Sequence, residues 1–200
     1  CMYEKDVVNV ARENGWFKGK DKDFDFQKAY NPYDFSGLRA CEARVWSFFR
    51  TFDKSMDKYK KHIMGDASEE PMPLYIIPDR KVSLADVREG MRNHYEGTEL
   101  SMTNDPGAGV YKVPYRWRPM TFKSEGREYF NERAIATQQT CFVLIAQMRS
   151  WLPDAVGGIL WFGVDDANTA VLTPMYASIT EIPECYRRGN GSMTEFSWTS

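Results

Sequence analysis

The spacing of apolar residues predicts helices in the first half of the chain. Val7, Val8 and Ala11 share one face of a helix over residues 4–14, and Gly15 is a natural stop signal for it. The residues from 16 to 36 mix charged and aromatic side chains without a clear period, so this stretch is predicted to be an ordered loop packed by its aromatic rings.

Two further helices are predicted before residue 97. The first covers residues 38–62 and ends in the segment 65–73, which contains Gly and Pro. Its apolar stripe recurs at steps of three and four and consists of Cys41, Val45, Phe48, Phe49, Phe52, Met56, Tyr59 and Ile63. The second begins at Ser83, which forms a capping-box-like pair with Asp86, and ends at Gly97. Its buried stripe is Leu84, Val87, Met91 and Tyr95.

The last third of the chain is predicted to form strands. The candidate strands cover residues 122–130, 134–148, 158–164 and 171–179. The short turns between them favour an antiparallel meander. Residues 141–146 are apolar at every position, so we expect this strand to be covered on both faces, by helices or by a second sheet.

Residues 98–118 form a loop rich in Gly, Pro and aromatic side chains, and long ordered loops of this kind are often functional. The predicted fold class is therefore α+β, in a single domain. Its helical part covers residues 1–97, its aromatic loop residues 98–121 and its antiparallel strand part residues 122–200.

Composition excludes several classes of protein. With 42% apolar and 14% aromatic residues the chain is not disordered, and a net charge of −2 excludes a strongly basic nucleic-acid binder. The longest apolar run, residues 155–164, is too short to span a bilayer. The four cysteines form no CxxC pair, which argues against a zinc cluster or a disulfide scaffold and leaves the redox compartment open.

Cys1 is the first candidate catalytic residue. An N-terminal cysteine can act as a nucleophile with its own α-amine as the base, because such an amine has an ordinary pKa of about 8. The alternative is that position 1 is only where a fragment begins. The helix-like segment that follows favours this alternative, because such a nucleophile usually opens a strand followed by small residues.

The only two histidines, His62 and His94, are expected to be solvated residues near helix ends. A dyad of either histidine with Cys41, Cys141 or Cys185 stays open, although no local spacing supports one.

Two further groups of charged residues, an acidic pair and three arginines, are weighed as candidate sites. Asp165 and Asp166 are a candidate metal site or a turn, and the absence of other ligand spacing favours the turn. Arg39 and Arg50 are expected on the surface. Arg44 is one step from the apolar stripe of its helix, so it needs an acidic partner or a ligand.

Polar side chains also gather at the start of the second predicted strand, at Asn131, Glu132, Arg133, Gln138 and Gln139. They suit either the lip of a pocket or a buried hydrogen-bond network, and the network is the more common arrangement.

Seven stretches with unusual strings follow one another along the chain: 11–17 (ARENGWF), 41–50 (CEARVWSFFR), 92–98 (RNHYEGT), 114–119 (PYRWRP), 131–140 (NERAIATQQT), 150–155 (SWLPDA) and 158–165 (GILWFGVD). In this combination they resemble the bacterial dipeptidases with an N-terminal cysteine nucleophile, within the N-terminal-nucleophile hydrolase superfamily. The resemblance implies a four-layer α-β-β-α sandwich, a dipeptide substrate, and hydrolysis by the cysteine thiolate without a metal or organic cofactor.

The resemblance also implies that this chain is an interior segment of a longer family member. Nothing after Cys1 matches the small residues and the Asp-Gly-Ser type turn that follow the family's catalytic cysteine. The nucleophile is therefore expected upstream, a further sheet and helices after Ser200, and no activity in the segment alone. Residues 43–46 resemble a stretch that places an arginine near the nucleophile in related amide hydrolases, which implies such a role for Arg44.

Two alternatives are kept. One is an amidase of the same superfamily with Cys1 as its nucleophile, and the other is a non-catalytic binding domain that uses the loop 98–118. The preferred dipeptide, a homo-oligomeric state and the cellular compartment are left open by the sequence.

Overall fold

The computed structural model describes residues 3–116 and 121–187, with the side chain of Cys185 left out. Contacts between Cα atoms divide the chain into two compact units, Cys1–Ile77 and Pro78–Ser200. We refer to them as the helical unit and the sheet unit. Of the helices that the structure describes, none has the length and apolar character needed to cross a bilayer.

The helical unit begins with α1, Val7–Glu13, which confirms the first predicted helix. Val8 and Ala11 are buried, and Gly15 follows the helix with a φ of 74°, a conformation that glycine adopts without strain. A 3-10 turn over Asp21–Asp23 and the short helix α2, Phe26–Tyr30, come next.

The helix predicted over residues 38–62 is interrupted, so that prediction is wrong in its extent. The structure has α3 (Phe35–Gly37), a π-helical turn (Leu38–Glu42), α4 (Ala43–Phe52), a 3-10 segment (Lys54–Tyr59) and α5 (Lys60–Ile63). The break is at Asp53, where the backbone is extended. The Asp53 side chain caps the 3-10 segment that follows by accepting a hydrogen bond from the Ser55 N–H at 2.8 Å. The apolar stripe is still partly buried, at Phe52, Met56, Tyr59 and Ile63.

The core of the helical unit is built around Trp46, which is 1% exposed. Its indole Nε1 donates to the backbone oxygen of Met56 at 2.8 Å, so the ring fixes the 3-10 segment against α4. Leu38, Ala43 and Ile63 are also fully buried.

The sheet unit begins with α6, Leu84–Met91, whose capping box between Ser83 and Asp86 confirms the predicted start. The helix ends at Met91 and not at Gly97. The reason is local: the Asn93 side chain accepts the backbone N–H of Tyr95 at 2.7 Å, and Tyr95 has a φ of 65°, which turns the chain out of the helix.

We expect Ser83→Ala to lower the free energy of unfolding by about 1 kcal/mol, because the N–H of Asp86 loses its cap. The Arg80 guanidinium and the Ser83 side chain hold the pKa of Asp86 well below its usual range. The ionised Asp86 therefore stabilises the folded state above the ordinary carboxyl pKa of about 4, and this stabilisation is lost as the pH falls below that value. Thermal unfolding should therefore separate Ser83→Ala from the exposed control Ser150→Ala. Equal midpoints for the two variants at neutral pH would contradict the prediction.

Two antiparallel sheets follow. The strands β1 (Thr121–Ser124) and β2 (Arg127–Phe130) form a hairpin where a single strand was predicted. The positive φ angles of Glu125 and Gly126, 49° and 74°, allow the two-residue turn between them.

The second sheet confirms the antiparallel meander, in the order β3 (Phe142–Met148), β4 (Gly158–Val164) and β5 (Thr173–Tyr176). β3 is shorter than the predicted strand 134–148, because residues 137–140 form a turn in which the Thr140 N–H donates to the Thr137 oxygen at 2.9 Å. β5 is shorter than the predicted strand 171–179, because it begins only where Thr173 pairs with Phe162. The predicted strand 158–164 is confirmed.

The three-stranded sheet has one covered face. Val143 and Ile145 are buried, and Val143 packs with Ala136, Ala167 and Ala170. The other face of β3 carries Phe142, Leu144 and Met148, which are 53%, 47% and 77% exposed. The expectation that β3 is covered on both faces is therefore wrong for the part of the chain that the structure describes.

Candidate functional site

Arg44 is the second residue of α4, which follows the π-helical turn of the helical unit. In this turn the N–H of Ala43 bonds to the oxygen of Leu38, five residues back, and such single π turns are frequent at functional sites. The carbonyl oxygen of Ala40 accepts a hydrogen bond from Arg44 Nε at 2.7 Å. The guanidinium is thereby fixed to its own helix by one nitrogen.

The charge of Arg44 is not neutralised by a carboxylate within the described residues. Its Nη2 lies 3.9 Å from the Sγ of Cys41, a weak contact. Of the two partners that the sequence required for this arginine, an acidic residue or a ligand, the structure shows no acidic residue. A half-buried cation of this kind is available to an anion or a thiolate.

The other two arginines of this region are not free surface residues, contrary to expectation. Arg39, within the π turn, is 8% exposed, and its Nη1 lies 2.7 Å from the Met64 sulfur. Arg50 is half-buried, pairs with Asp57 Oδ1 at 2.5 Å, and stacks over the Trp46 ring at 5.5 Å.

Both histidines are buried, so the prediction of solvated histidines is wrong. His62 is 1% exposed, its Nε2 is 3.7 Å from Glu42 Oε2, and its ring contacts the Tyr33 ring edge-on. His94 is 4% exposed and its Nδ1 is 3.1 Å from Glu96 Oε1. Glu96 is thus a hydrogen-bond partner of the buried His94 ring, whereas the contact between His62 and Glu42 is longer than a hydrogen bond and both ring nitrogens of His62 are buried without one.

The structure gives no support to a His/Cys dyad among the side chains that it describes. Cys41 and Cys141 are free and exposed, whereas the two histidines face glutamate and tyrosine. Cys1 and the side chain of Cys185 lie outside the described residues.

The stretch 92–98 is the centre of a polar network in the sheet unit. The His94 N–H donates to Glu96 Oε2 at 2.6 Å, and the His94 oxygen accepts the Met102 N–H at 3.1 Å. Tyr95 is fully buried, and its hydroxyl donates to the oxygen of Arg133 at 2.7 Å. This stretch therefore joins the aromatic loop to the segment 131–139.

Tyr115 joins the same network to the turn after β4. Its hydroxyl donates to the carboxylate of Asp166, which is 3% exposed, and its ring contacts His94 edge-on at 5.9 Å. Burial raises the pKa of Tyr115, and the negative charge of Asp166 adds to the effect.

The turn interpretation of Asp165 and Asp166 is confirmed. Asp165 has a φ of 74°, and the Asp166 oxygen accepts the Ala170 N–H at 2.8 Å. In residues 3–116 and 121–187 no three His, Cys, Asp or Glu side chains come together as metal ligands.

Tyr115→Phe is expected to lower the free energy of unfolding by about 1–3 kcal/mol, because it leaves the buried Asp166 carboxylate without its hydroxyl partner. Urea unfolding measures the change. The matched control is Tyr111→Phe, since Tyr111 is 87% exposed. A loss of the same size in both variants would show that the Tyr115–Asp166 hydrogen bond does not stabilise the unit.

The segment 131–139 belongs to a hydrogen-bond network and not to an open pocket. Gln138 Nε2 donates to the oxygen of Arg116 at 2.6 Å, and Arg116 in turn bonds to Asp105 and, at 2.7 Å, to the oxygen of Met102. The cavity that they line has a volume of about 20 Å³, enough for about one water molecule. Sequence reasoning missed Tyr115 and Arg116 as network residues, because their partners lie far along the chain or on the backbone.

Comparison with known proteins identifies the family to which the chain is similar. The model of peptidase family C69 matches residues 1–200. A protein named probable dipeptidase from Salmonella dublin is 26% identical over 175 residues, which is 88% of this chain and 34% of that protein. A probable dipeptidase B from Lactococcus lactis subsp. lactis is 27% identical over 98% of this chain and 36% of its own length.

The chain thus spans about a third of the length of these curated relatives. A probable dipeptidase B from Streptococcus pyogenes gives the same proportion, with 24% identity over 97% of this chain and 35% of that protein. No solved structure matches the chain. The resemblance to bacterial dipeptidases is confirmed, and because the family model covers the chain from end to end, the chain belongs to peptidase family C69.

Proposed function

We propose that this chain is part of a dipeptidase that hydrolyses the amide bond of dipeptides with a cysteine thiolate as nucleophile. The observation that carries the proposal is the match of the peptidase family model to all 200 residues, together with relatives that are named dipeptidases. A non-catalytic binding domain finds no comparable support.

The nucleophile is proposed to lie outside this chain. The curated relatives are about three times as long as the part that the chain matches. Cys41 and Cys141 are exposed, and the buried histidines contact glutamates, so neither described thiol has a histidine base beside it.

Arg44 is the proposed electrostatic residue of the site. Its Nε is fixed by the Ala40 oxygen at 2.7 Å, which leaves the other guanidinium nitrogens free of carboxylates among the described residues. A fixed, unneutralised cation lowers the pKa of a nearby thiol and stabilises an oxyanion that forms during the reaction.

The proposed reaction has two steps. The thiolate attacks the carbonyl carbon of the dipeptide, and the proton of the thiol, held by the α-amine, passes to the leaving amine as the C–N bond breaks. Water then attacks the thioester, releases the first amino acid and restores the thiol. Neither step requires a metal or an organic cofactor.

The exposed apolar face of the three-stranded sheet supports the proposed α-β-β-α arrangement. Phe142 lies opposite Val164 and Leu144 opposite Phe162, so these side chains form a continuous apolar surface across β3 and β4. An apolar sheet face of this kind is usually covered by another layer. We propose that a second sheet of the complete enzyme packs on it.

The assay is hydrolysis of dipeptides by the longer protein that contains this chain and, in parallel, by the 200-residue chain alone. We expect the longer protein to release amino acids from a dipeptide and to lose activity on alkylation of one thiol. We expect no turnover by the chain alone.

Two results would contradict the proposal. Turnover by the chain alone that disappears in Cys1→Ala would assign the nucleophile to Cys1, as in the amidase alternative. A longer protein that leaves all tested dipeptides intact would refute the dipeptidase function itself.

A further inference from the structure

The helical unit contains a cavity to which the proposed hydrolysis assigns no role. Its volume is about 640 Å³, which suits a small organic ligand. It lies among α2, the start of α4 and the segment 71–74. Its apolar walls include Phe24, Phe26, Val45 and Leu74, and its polar groups include Tyr33 and Glu42.

One carboxylate gives this cavity its charge. Glu42 is 21% exposed at its side chain and lies beside Tyr33, whose pKa its charge helps to raise. The His62 ring is 3.7 Å away, which is longer than a hydrogen bond. Asp25 also lines the cavity, but Lys28 Nζ lies 3.7 Å from its carboxylate and balances it. The cavity therefore carries a net negative charge at Glu42.

The walls favour a cation for a second reason. Phe24, Phe26 and Tyr33 present aromatic rings to the cavity, and aromatic faces attract organic cations. The environment of Tyr33 is consistent with a negative field, because burial and the charges of Glu42 and Asp25 raise the pKa of its hydroxyl. An anionic ligand would be repelled from this cavity.

We infer that the cavity binds a small organic ammonium ion with an aromatic or aliphatic body. The Glu42 carboxylate holds the ammonium group, and the apolar walls hold the body. A purely structural role for Glu42, in which it only contacts Tyr33 and His62, predicts no preference for a charged ligand.

The test is calorimetric titration of the protein with phenethylamine and with its neutral analogue 2-phenylethanol. We expect phenethylamine to bind at least about tenfold more tightly, because it makes a charge-assisted hydrogen bond with Glu42. Equal affinities, or no binding of the amine, would overturn the inference. Binding is measured without turnover, so the result is independent of whether the protein hydrolyses dipeptides.

Two variants test whether the Glu42 carboxylate and the apolar wall of the cavity bind the ligand. Glu42→Gln keeps the size and polarity of the side chain but removes its charge, so it should reduce the affinity for the amine to that for the alcohol. Glu13→Gln, at an exposed end of α1, should change neither affinity. Val45→Trp should weaken both ligands by filling the cavity. Its control is Val10→Trp, because Val10 is 39% and Val45 40% exposed and Val10 is not a wall residue. An unchanged amine affinity in either Glu42→Gln or Val45→Trp would refute the assignment.

Discussion

Arg44→Ala is expected to lower the kcat for dipeptide hydrolysis by about 100-fold in the active enzyme, the size of effect seen when one oxyanion-stabilising group is removed. Arg44 is a half-buried cation without a carboxylate partner among the described residues, so its removal takes charge from the site without releasing a buried acid. Steady-state kinetics with one dipeptide measure the change.

A pH profile separates this role from a structural one. Without the cation, the pKa of the nucleophilic thiol should rise, so the acid limb of the rate profile should move to higher pH. Arg44→Lys keeps the charge and should restore part of the rate. Arg88→Ala, on the exposed side of α6, is the control and should leave the rate unchanged. A fully active Arg44→Ala would show that Arg44 has no part in catalysis.

Trp46→Ala is expected to lower the free energy of unfolding by about 3–5 kcal/mol. The ring is 1% exposed, and its Nε1 is the hydrogen-bond donor for the Met56 oxygen, so the substitution leaves a cavity and an unpaired carbonyl. Urea unfolding followed by circular dichroism measures the loss. Trp151→Ala is the control, because Trp151 is 76% exposed. Two variants of equal stability would place Trp46 outside the core of the helical unit.

The sequence predicted those elements whose signals are local. α1 has its apolar face and its glycine stop within residues 7–15, α6 has its cap at Ser83, and β4 has a short apolar run between turns. The prediction of one helix over residues 38–62 is wrong, because apolar residues keep a helical period across Asp53 although the side chain of Asp53 caps a new helix at that point. Periodicity alone does not register such a break.

The residues of the candidate site were predictable to different degrees. Arg44 was found through its resemblance to a family stretch, and its missing acidic partner became visible only in the structure. Tyr115 and Asp166 are 51 residues apart, so no local pattern joins them. The burial of His62 and His94 was missed because charged neighbours in the sequence indicate solvent. In the fold both rings are nonetheless buried, with Glu96 hydrogen-bonded to His94 and Glu42 3.7 Å from His62.

The most direct test of the central claim is peptide mapping of the longer protein after its thiols react with a limiting amount of iodoacetamide, with and without a dipeptide. The cysteine that is labelled fastest, and protected by the dipeptide, is the nucleophile. We predict that it lies outside these 200 residues. Protected labelling of Cys1, Cys41, Cys141 or Cys185 would contradict the account, because the nucleophile would then belong to this chain.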